Sequence, residues 1–216
     1  MPVIAFIILL VVGFLIGAIP FAFIFVKKMK GIDIRTVGSG NSGATNASRV
    51  LGKPMGIFIL VLDLLKGSFA AYVLPWVYSM IGLPSPIWDE LGIRGVGLCF
   101  GLAAFLGHCF SPFLRFKGGK GVATALGVYL VLAPQATLLT AVICILIILI
   151  TRIVSIASIT GAILLPIMLI IFDFLLESRQ PNYFLFGATI LLGALVVYRH
   201  RGNIQRLLKG QENKSA

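Results

Sequence analysis

Acidic side chains are scarce in this chain: seven Asp and Glu stand against eighteen Lys and Arg in 216 residues. Two histidines and three cysteines complete the short supply of metal-ligating groups. Cys99, Cys109 and Cys144 fall in or beside apolar runs without CxxC spacing, so they read as packing residues and not as bridges or thiolate ligands. A divalent cation needs several oxygen or nitrogen ligands in one place, and this sequence offers no such cluster; no metal and no cofactor are expected. Charge of either sign is sparse too, at 12% of residues, where a soluble domain carries roughly 25%. That shortage excludes one or two ordinary soluble domains.

What fills the chain is apolar. Hydrophobic residues make up 59%, and the mean hydropathy is +1.06. The composition predicts an all-α integral membrane protein. The run Val3–Val26 is uncharged, lacks a basic leader and is too long for a signal-peptide core, so it is expected to remain as a membrane helix. Six more apolar runs follow at about Met55–Ile81, Leu91–Phe110, Gly121–Ala133, Ala136–Ile150, Ile153–Phe172 and Tyr183–Tyr198. The expectation is seven transmembrane helices in one polytopic domain, 1–216, with a short polar tail at about 203–216. The Pro134–Gln135 gap predicts a tight hairpin.

The formal charge of +11 would suit nucleic acid, but its distribution suits a bilayer. With the N-terminus outside, fifteen basic residues collect in the loops of one side and only Arg94 and Arg179 on the other. Short loops rich in Lys and Arg stay cytoplasmic, which puts the C-terminus on the cytoplasmic side of the membrane; no nucleic-acid partner is expected.

Three polar stretches share that basic side. The first is Gly38-Ser39-Gly40-Asn41-Ser42-Gly43-Ala44-Thr45-Asn46, with Arg49 beyond it. It satisfies GxGxxG formally, but a membrane helix precedes it where a dinucleotide fold needs a strand. Ser39, Ser42 and Thr45 are candidate helix caps, and Arg49 can fork onto a phosphate; a flexible loop with ordinary caps is the alternative. The second stretch runs from Gly107 to Thr124, with Gly118-Gly119-Lys120-Gly121 at its centre. Glycines let backbone N–H groups approach an oxyanion, Lys120 adds a charge, and a helix start follows. It is not a P-loop: Leu114 and Gly121 stand where a glycine and a hydroxyl are required. His108 is not the histidine of an HxxxxD motif, because Phe113 holds the fifth place. It reads either as a helix-end histidine on a carbonyl or as a site residue.

The third stretch is Tyr198 to Leu207, a basic anchor in which His200 and Asn203 would share a face if the last helix continued. Between these lies Ser155, near the interface, while Ser158 is expected to bond back to its own turn. Asp63 and Lys66, three apart inside the second span, are either an ion pair fixing helix packing or a functional intramembrane pair. Gly97, Gly101, Ala103 and Ala104 read either as a groove between helices or as close-packing positions.

The segments GSGNSGATNASRVLG, GHCFSPFLRFKGGKGVAT and YRHRGNIQRLLKGQE resemble, in order and spacing, the three signature motifs of the bacterial acyl-phosphate:glycerol-3-phosphate acyltransferases of the PlsY type. The resemblance covers essentially the whole chain. It implies a seven-helix enzyme acting at the cytoplasmic face. The implied reaction moves a fatty acyl chain from acyl phosphate to the 1-hydroxyl of glycerol 3-phosphate, giving 1-acylglycerol 3-phosphate and phosphate. Carried over by position, Ser39, Arg49, Lys120, His200 and Asn203 would be catalytic. Thr45, Gly118, Gly119, Gly121 and Ser155 would bind substrate. Implied partners are the two substrates, membrane lipid and the soluble enzyme that makes acyl phosphate. A small transporter for an anionic metabolite is the rival reading, disfavoured because the polar motifs crowd one face and not the midplane.

Overall fold

The computed structural model describes residues 2–81, 86–176 and 182–214, and every regular element among them is helical. In order these are α1 (Pro2–Ala18), α2 (Phe21–Lys30), α3 (Ala44–Leu51), α4 (Lys53–Met80) and α5 (Pro86–Cys109). They are followed by α6 (Val122–Leu132), α7 (Pro134–Thr151), α8 (Val154–Ile170), α9 (Tyr183–Arg199) and α10 (Arg201–Leu208). A π-helical turn, Ile171–Leu176, extends α8. Five helical segments are long and apolar enough to cross a membrane, or six if the bent α9–α10 pair counts as one; α6 is a shorter apolar helix of 11 residues. Arg179 and Glu177, placed by sequence on the poorly charged side, lie outside the described residues.

The apolar run from Val3 lies, as expected, within one candidate membrane span, Pro2–Lys30, but its helix is interrupted between α1 and α2. Pro20 has no N–H to donate and disfavours helical backbone at Ile19, so the helix is interrupted there. Side-chain donors meet two carbonyls at the break. Ser111 Oγ donates to the Ala18 carbonyl at 2.6 Å and Lys66 Nζ to that of Ile19 at 3.1 Å. The predicted Asp63–Lys66 pair forms, with Nζ 2.7 Å from Oδ1 and both side chains 3% exposed. The pair thus forms within α4 and reaches the backbone of the break between α1 and α2.

The helices group into two compact units, Met1–Leu132 and Ala133–Ala216, where the sequence predicts a single polytopic domain. In the first, lipid is as apolar as leucine, so close packing and not water exclusion must hold the helices together. Small residues make this possible, and they come in facing pairs. A Cβ on Gly17 would strike the Ala104 backbone, and one on Gly107 the Phe14 carbonyl, so α1 and α5 meet main chain to main chain. Gly67 meets Thr124 and Gly127 meets Leu64 in the same way between α4 and α6. Gly97 faces the Ala71 carbonyl and Gly101 faces Val128, which makes both close-packing positions. Leu9, Leu74, Tyr78, Val96 and Phe100 fill the space between α1, α4 and α5.

In the second unit, α7 ends at Arg152, whose left-handed backbone (φ 57°) turns the chain into α8. Ser158 Oγ bonds back to the Val154 carbonyl at 2.9 Å, as expected of a hydroxyl in an apolar helix. Gly193 of α9 packs on the Ala162 carbonyl of α8. Outward faces are apolar: Ile4, Ile8 and Val11 on α1, and Leu138, Val142, Ile145 and Leu149 on α7.

Overfilling a helix contact should cost about 1–3 kcal/mol. Gly127→Leu is accordingly expected to lower the thermal midpoint in detergent by several degrees, while Val11→Leu on the outer face leaves it unchanged. Equal midpoints for the two variants would refute the backbone-contact account.

Candidate active site

Asp33 opens the first polar loop, accepting the Arg35 N–H at 2.9 Å as it caps a short 3₁₀ turn, Ile34–Thr36. The Arg35 guanidinium forks onto the same carboxylate (2.6 Å) and donates to the Leu114 carbonyl at 3.1 Å, which ties this loop to the turn before the glycine stretch. The hydrogen bonds from Arg35 hold the Asp33 carboxyl below the usual range.

The loop that follows is built around Asn46. Its Oδ1 accepts the Ser39 N–H at 3.0 Å, and its Nδ2 meets the carbonyls of Ile34, Val37 and Asn41 at 3.0–3.1 Å. The side chain is 1% exposed. Gly38 adopts φ +60°, and a Cβ there would fall on Asn46 Oδ1, so glycine is required twice over. The expectation that Ser39, Ser42 and Thr45 cap a helix is corrected: Gly43 takes the N-cap position of α3 with no side-chain cap, and Asn46 gathers the loop instead. Ser42 Oγ is buried without a hydrogen-bond partner among the described residues. Thr45 stands in the first turn of α3, and Arg49, exposed, in its last.

The glycine stretch is held by the end of α5. Gly118 N–H donates to the Cys109 carbonyl (3.2 Å) and Gly119 N–H to that of His108 (3.1 Å). These N–H groups are therefore committed to the protein, which corrects the reading of Gly118 and Gly119 as an open oxyanion cradle. Both are glycine for another reason: a Cβ on Gly118 would meet the His108 and Cys109 carbonyls, and one on Gly119 the His108 imidazole. Gly121 takes φ +82° against the Phe105 ring. Lys120, half-buried, stands between these fixed points, just before α6. Arg115 and Phe116 both adopt left-handed backbone (φ 53° and 60°) in the turn ahead. A narrow crevice joins the two loops, lined by Ser42, Asp63, His108, Ser111 and Gly119 among others.

Ser155, His200 and Asn203 belong to the second unit. α9 does not continue through His200 as the shared-face expectation required; it bends by 56° into α10, which extends to Leu208 through much of the predicted tail. His200 Nδ1 lies 2.8 Å from the Val196 carbonyl. A carbonyl only accepts, so this nitrogen carries the proton and Nε2 is the basic atom of the neutral ring. Ser155 and Asn203 do come together, on a residue that sequence reasoning left out. Glu212 Oε1 accepts from Ser155 Oγ at 2.9 Å and Asn203 Nδ2 at 2.5 Å, while Oε2 accepts from Arg206 Nε at 2.7 Å. The available signal was its place at the end of the segment YRHRGNIQRLLKGQE, five residues beyond the third polar stretch.

Partial burial pushes the Glu212 carboxyl upward, but the donors Asn203, Arg206 and Ser155 outweigh it and hold the group below the usual glutamate value. A carboxyl lowered by docking stabilises the docked tail above its unfolded pKa, and that contribution disappears as pH falls through the docked value. The protection factor across 201–214, exchange measured against the intrinsic rate at the same pH, should accordingly fall on acidification below the ordinary glutamate range. In Glu212→Gln protection should be lower at neutral pH and nearly independent of acidity. A tail equally protected in both proteins at every pH would contradict the contact.

The family model described as glycerol-3-phosphate acyltransferase matches residues 7–210. A glycerol-3-phosphate acyltransferase of Fusobacterium nucleatum is 44% identical over 210 residues, covering 97% of this chain and 98% of the relative. That of Aquifex aeolicus is 43% identical over 207 residues, 95% and 97% of the two chains. Among solved structures, PlsY, an integral membrane glycerol 3-phosphate acyltransferase, superposes in its glycerol 3-phosphate form with a TM-score of 0.79 at 39% identity, covering 98% of this chain and 96% of that one. Its lysophosphatidic acid form gives 0.76 at 38% identity, with 97% and 94% covered. With a family match over nearly its full length and relatives this similar from end to end, the chain belongs to the glycerol-3-phosphate acyltransferase family.

Proposed function

We propose that this protein transfers a fatty acyl group from acyl phosphate to the 1-hydroxyl of glycerol 3-phosphate, releasing 1-acylglycerol 3-phosphate and inorganic phosphate. The observation that carries the reading is the full-length likeness to a protein solved in both a glycerol 3-phosphate and a lysophosphatidic acid form, acceptor and product of that reaction. The hydroxyl oxygen attacks the acyl carbonyl carbon, the bond from that carbon to the phosphate oxygen breaks, and phosphate leaves with the electron pair. The hydroxyl proton passes to a phosphate oxygen. Because the leaving group is already good, the protein's task is to hold two anions, align the hydroxyl and stabilise the developing oxyanion.

In this reading Arg49, Lys120 and the Ser39 hydroxyl hold phosphate, with Thr45 and Gly121 lining the same subsite. The committed N–H groups of Gly118 and Gly119 give those two residues a shaping role. Ser155 and Asn203 are anion donors, a role supported by their grip on the Glu212 carboxylate. His200, pinned through Nδ1, orients substrate and does not act as the base. The bundle is read as seven spans, N-terminus outside, C-terminus in the cytoplasm of the inner membrane, since the basic loops of the described chain favour one side. Acyl phosphate would reach the site from a soluble enzyme that makes it, and the acyl tail from the lipid phase.

Purified protein given palmitoyl phosphate and labelled glycerol 3-phosphate should form labelled lysophosphatidate; uptake into vesicles without product would instead support a transporter. Arg49→Ala and Lys120→Ala, each removing a charge-assisted contact, should raise KM for a phosphorylated substrate roughly ten- to hundredfold. His200→Ala should lower kcat while both limbs of the pH profile remain. Loss of one limb would make His200 the base.

A further inference from the structure

We propose that His108, braced by Asp63, is a positioning residue that sets where Lys120 stands. The inference rests on the acyltransferase reading and adds to it His108, at the edge of the second polar stretch, and Asp63, which lies outside all three.

Four observations converge on the imidazole. The His108 carbonyl accepts the Gly119 N–H at 3.1 Å, and the Cys109 carbonyl the Gly118 N–H at 3.2 Å, so the last turn of α5 holds the loop by its backbone. The ring lies directly under the same glycine, since any Cβ on Gly119 would fall on its Nε2. On its other side Nδ1 lies 3.6 Å from Asp63 Oδ1, with the imidazole 8% exposed and the carboxylate 3%. Asp63 is itself anchored by Lys66 at 2.7 Å, and Lys66 by the Ile19 carbonyl at 3.1 Å. One ring nitrogen thus faces α4 and the other faces the loop.

Lys120 is the next residue after Gly119, one Cα step of about 3.8 Å away. A displacement of Gly119 therefore moves the Lys120 backbone by a similar amount, and misplacing a reacting or binding group by about 1 Å costs up to about a hundredfold in rate. Gly119 alone cannot fix its own position, because glycine is the least restrained residue of the chain. The imidazole supplies a rigid floor, and the Asp63–Lys66 pair keeps that floor from rotating. A general base would need a ring nitrogen within hydrogen-bond reach of the attacking hydroxyl. Here both nitrogens face protein, towards Asp63 and Gly119.

The test compares wild type with His108→Ala, His108→Gln, Asp63→Asn, Gly119→Ala and the double variant His108→Ala/Gly119→Ala in the acyl-transfer assay, with thermal midpoints in detergent alongside. His108→Ala is expected to raise KM for one phosphorylated substrate about tenfold or more, with a smaller change in kcat. His108→Gln, whose amide reaches the place of Nε2, should recover most of the loss, and the kcat pH profile should keep its shape in both. Gly119→Ala should be damaging alone but no worse in the His108→Ala background, where the new methyl has room. Additive losses in the double variant, an unchanged KM in His108→Ala, or a vanished pH limb in both His108 variants would each overturn the proposal. If His108→Ala does not fold, His108→Gln and Asp63→Asn decide. Activity that merely tracks the amount of folded protein, at unaltered KM, makes the pair structural and refutes positioning. Absence of acyl transfer by wild type would refute the acyltransferase reading instead. Hydrogen exchange at residues 118–122 then still tests the inference, which requires faster exchange in His108→Gln or Asp63→Asn than in wild type and fails if the rates match.

Discussion

A carbonyl at a helix break has lost its intrahelical donor, and much of the first unit follows from meeting that requirement at one such break. Pro20 interrupts the first apolar run and frees the Ala18 and Ile19 carbonyls. Ser111 serves one and Lys66 the other. An ammonium so placed needs an anion, and Asp63, one helical turn away, supplies it at 2.7 Å. The carboxylate then has a side facing His108, and His108 underlies the glycine loop. A proline, two polar bonds and an ion pair thus connect the first membrane helix to the turn that carries Lys120. The buried pair contributes less through its own attraction than through what it joins, because desolvating two charges offsets much of their Coulomb gain.

The scarcity of acids has a counterpart in how they are used. Of the carboxylates in the polar loops, Asp33 is forked onto Arg35 and Glu212 onto Arg206, Ser155 and Asn203. Arg35 in turn donates to the Leu114 carbonyl and so ties two loops together, while Glu212 gathers donors from α8 and α10. An anion-binding surface needs its acids engaged in this way, since every unassigned acid nearby would repel a phosphate and raise its own pKa. Glu212 also demonstrates directly that Ser155 and Asn203 can grip an oxyanion oxygen together.

Membrane class, most helix positions and the Asp63–Lys66 pair were legible in the sequence because each rests on a local pattern: long apolar runs, basic loops, an i,i+3 spacing. The break at Pro20 carried a signal as well, but hydropathy outweighed it, as an apolar run looks continuous whether or not its backbone is. Asn46 and Glu212 were not legible. Their partners lie 5 to 12 and 6 to 57 residues away, and such side-chain contacts leave no periodic trace. The same holds for the bend at His200, which a continuing helical pattern hid. The hydroxyl-rich stretch before α3 looked like a set of caps because capping is what Ser and Thr most often do locally; a single buried amide removed the need.

Glycine performs two unlike tasks here, and separating them changes the chemistry expected of the site. Gly17, Gly67, Gly107 and Gly127 exist so that helices can touch backbone to backbone. Gly118 and Gly119 extend the same principle into the loop: they are small because the α5 carbonyls and the His108 ring occupy the space a side chain would need. Their N–H groups are spent on that contact. A glycine-rich loop beside a helix start therefore is not automatically an anion cradle, because close approach to protein and close approach to ligand demand the same residue. In the proposed reaction, cations and side-chain donors would then share the charge developing on the acyl oxygen. Such groups stabilise a transition state only when held still, which makes the rigidity of the floor beneath Lys120 as important as the charge it carries.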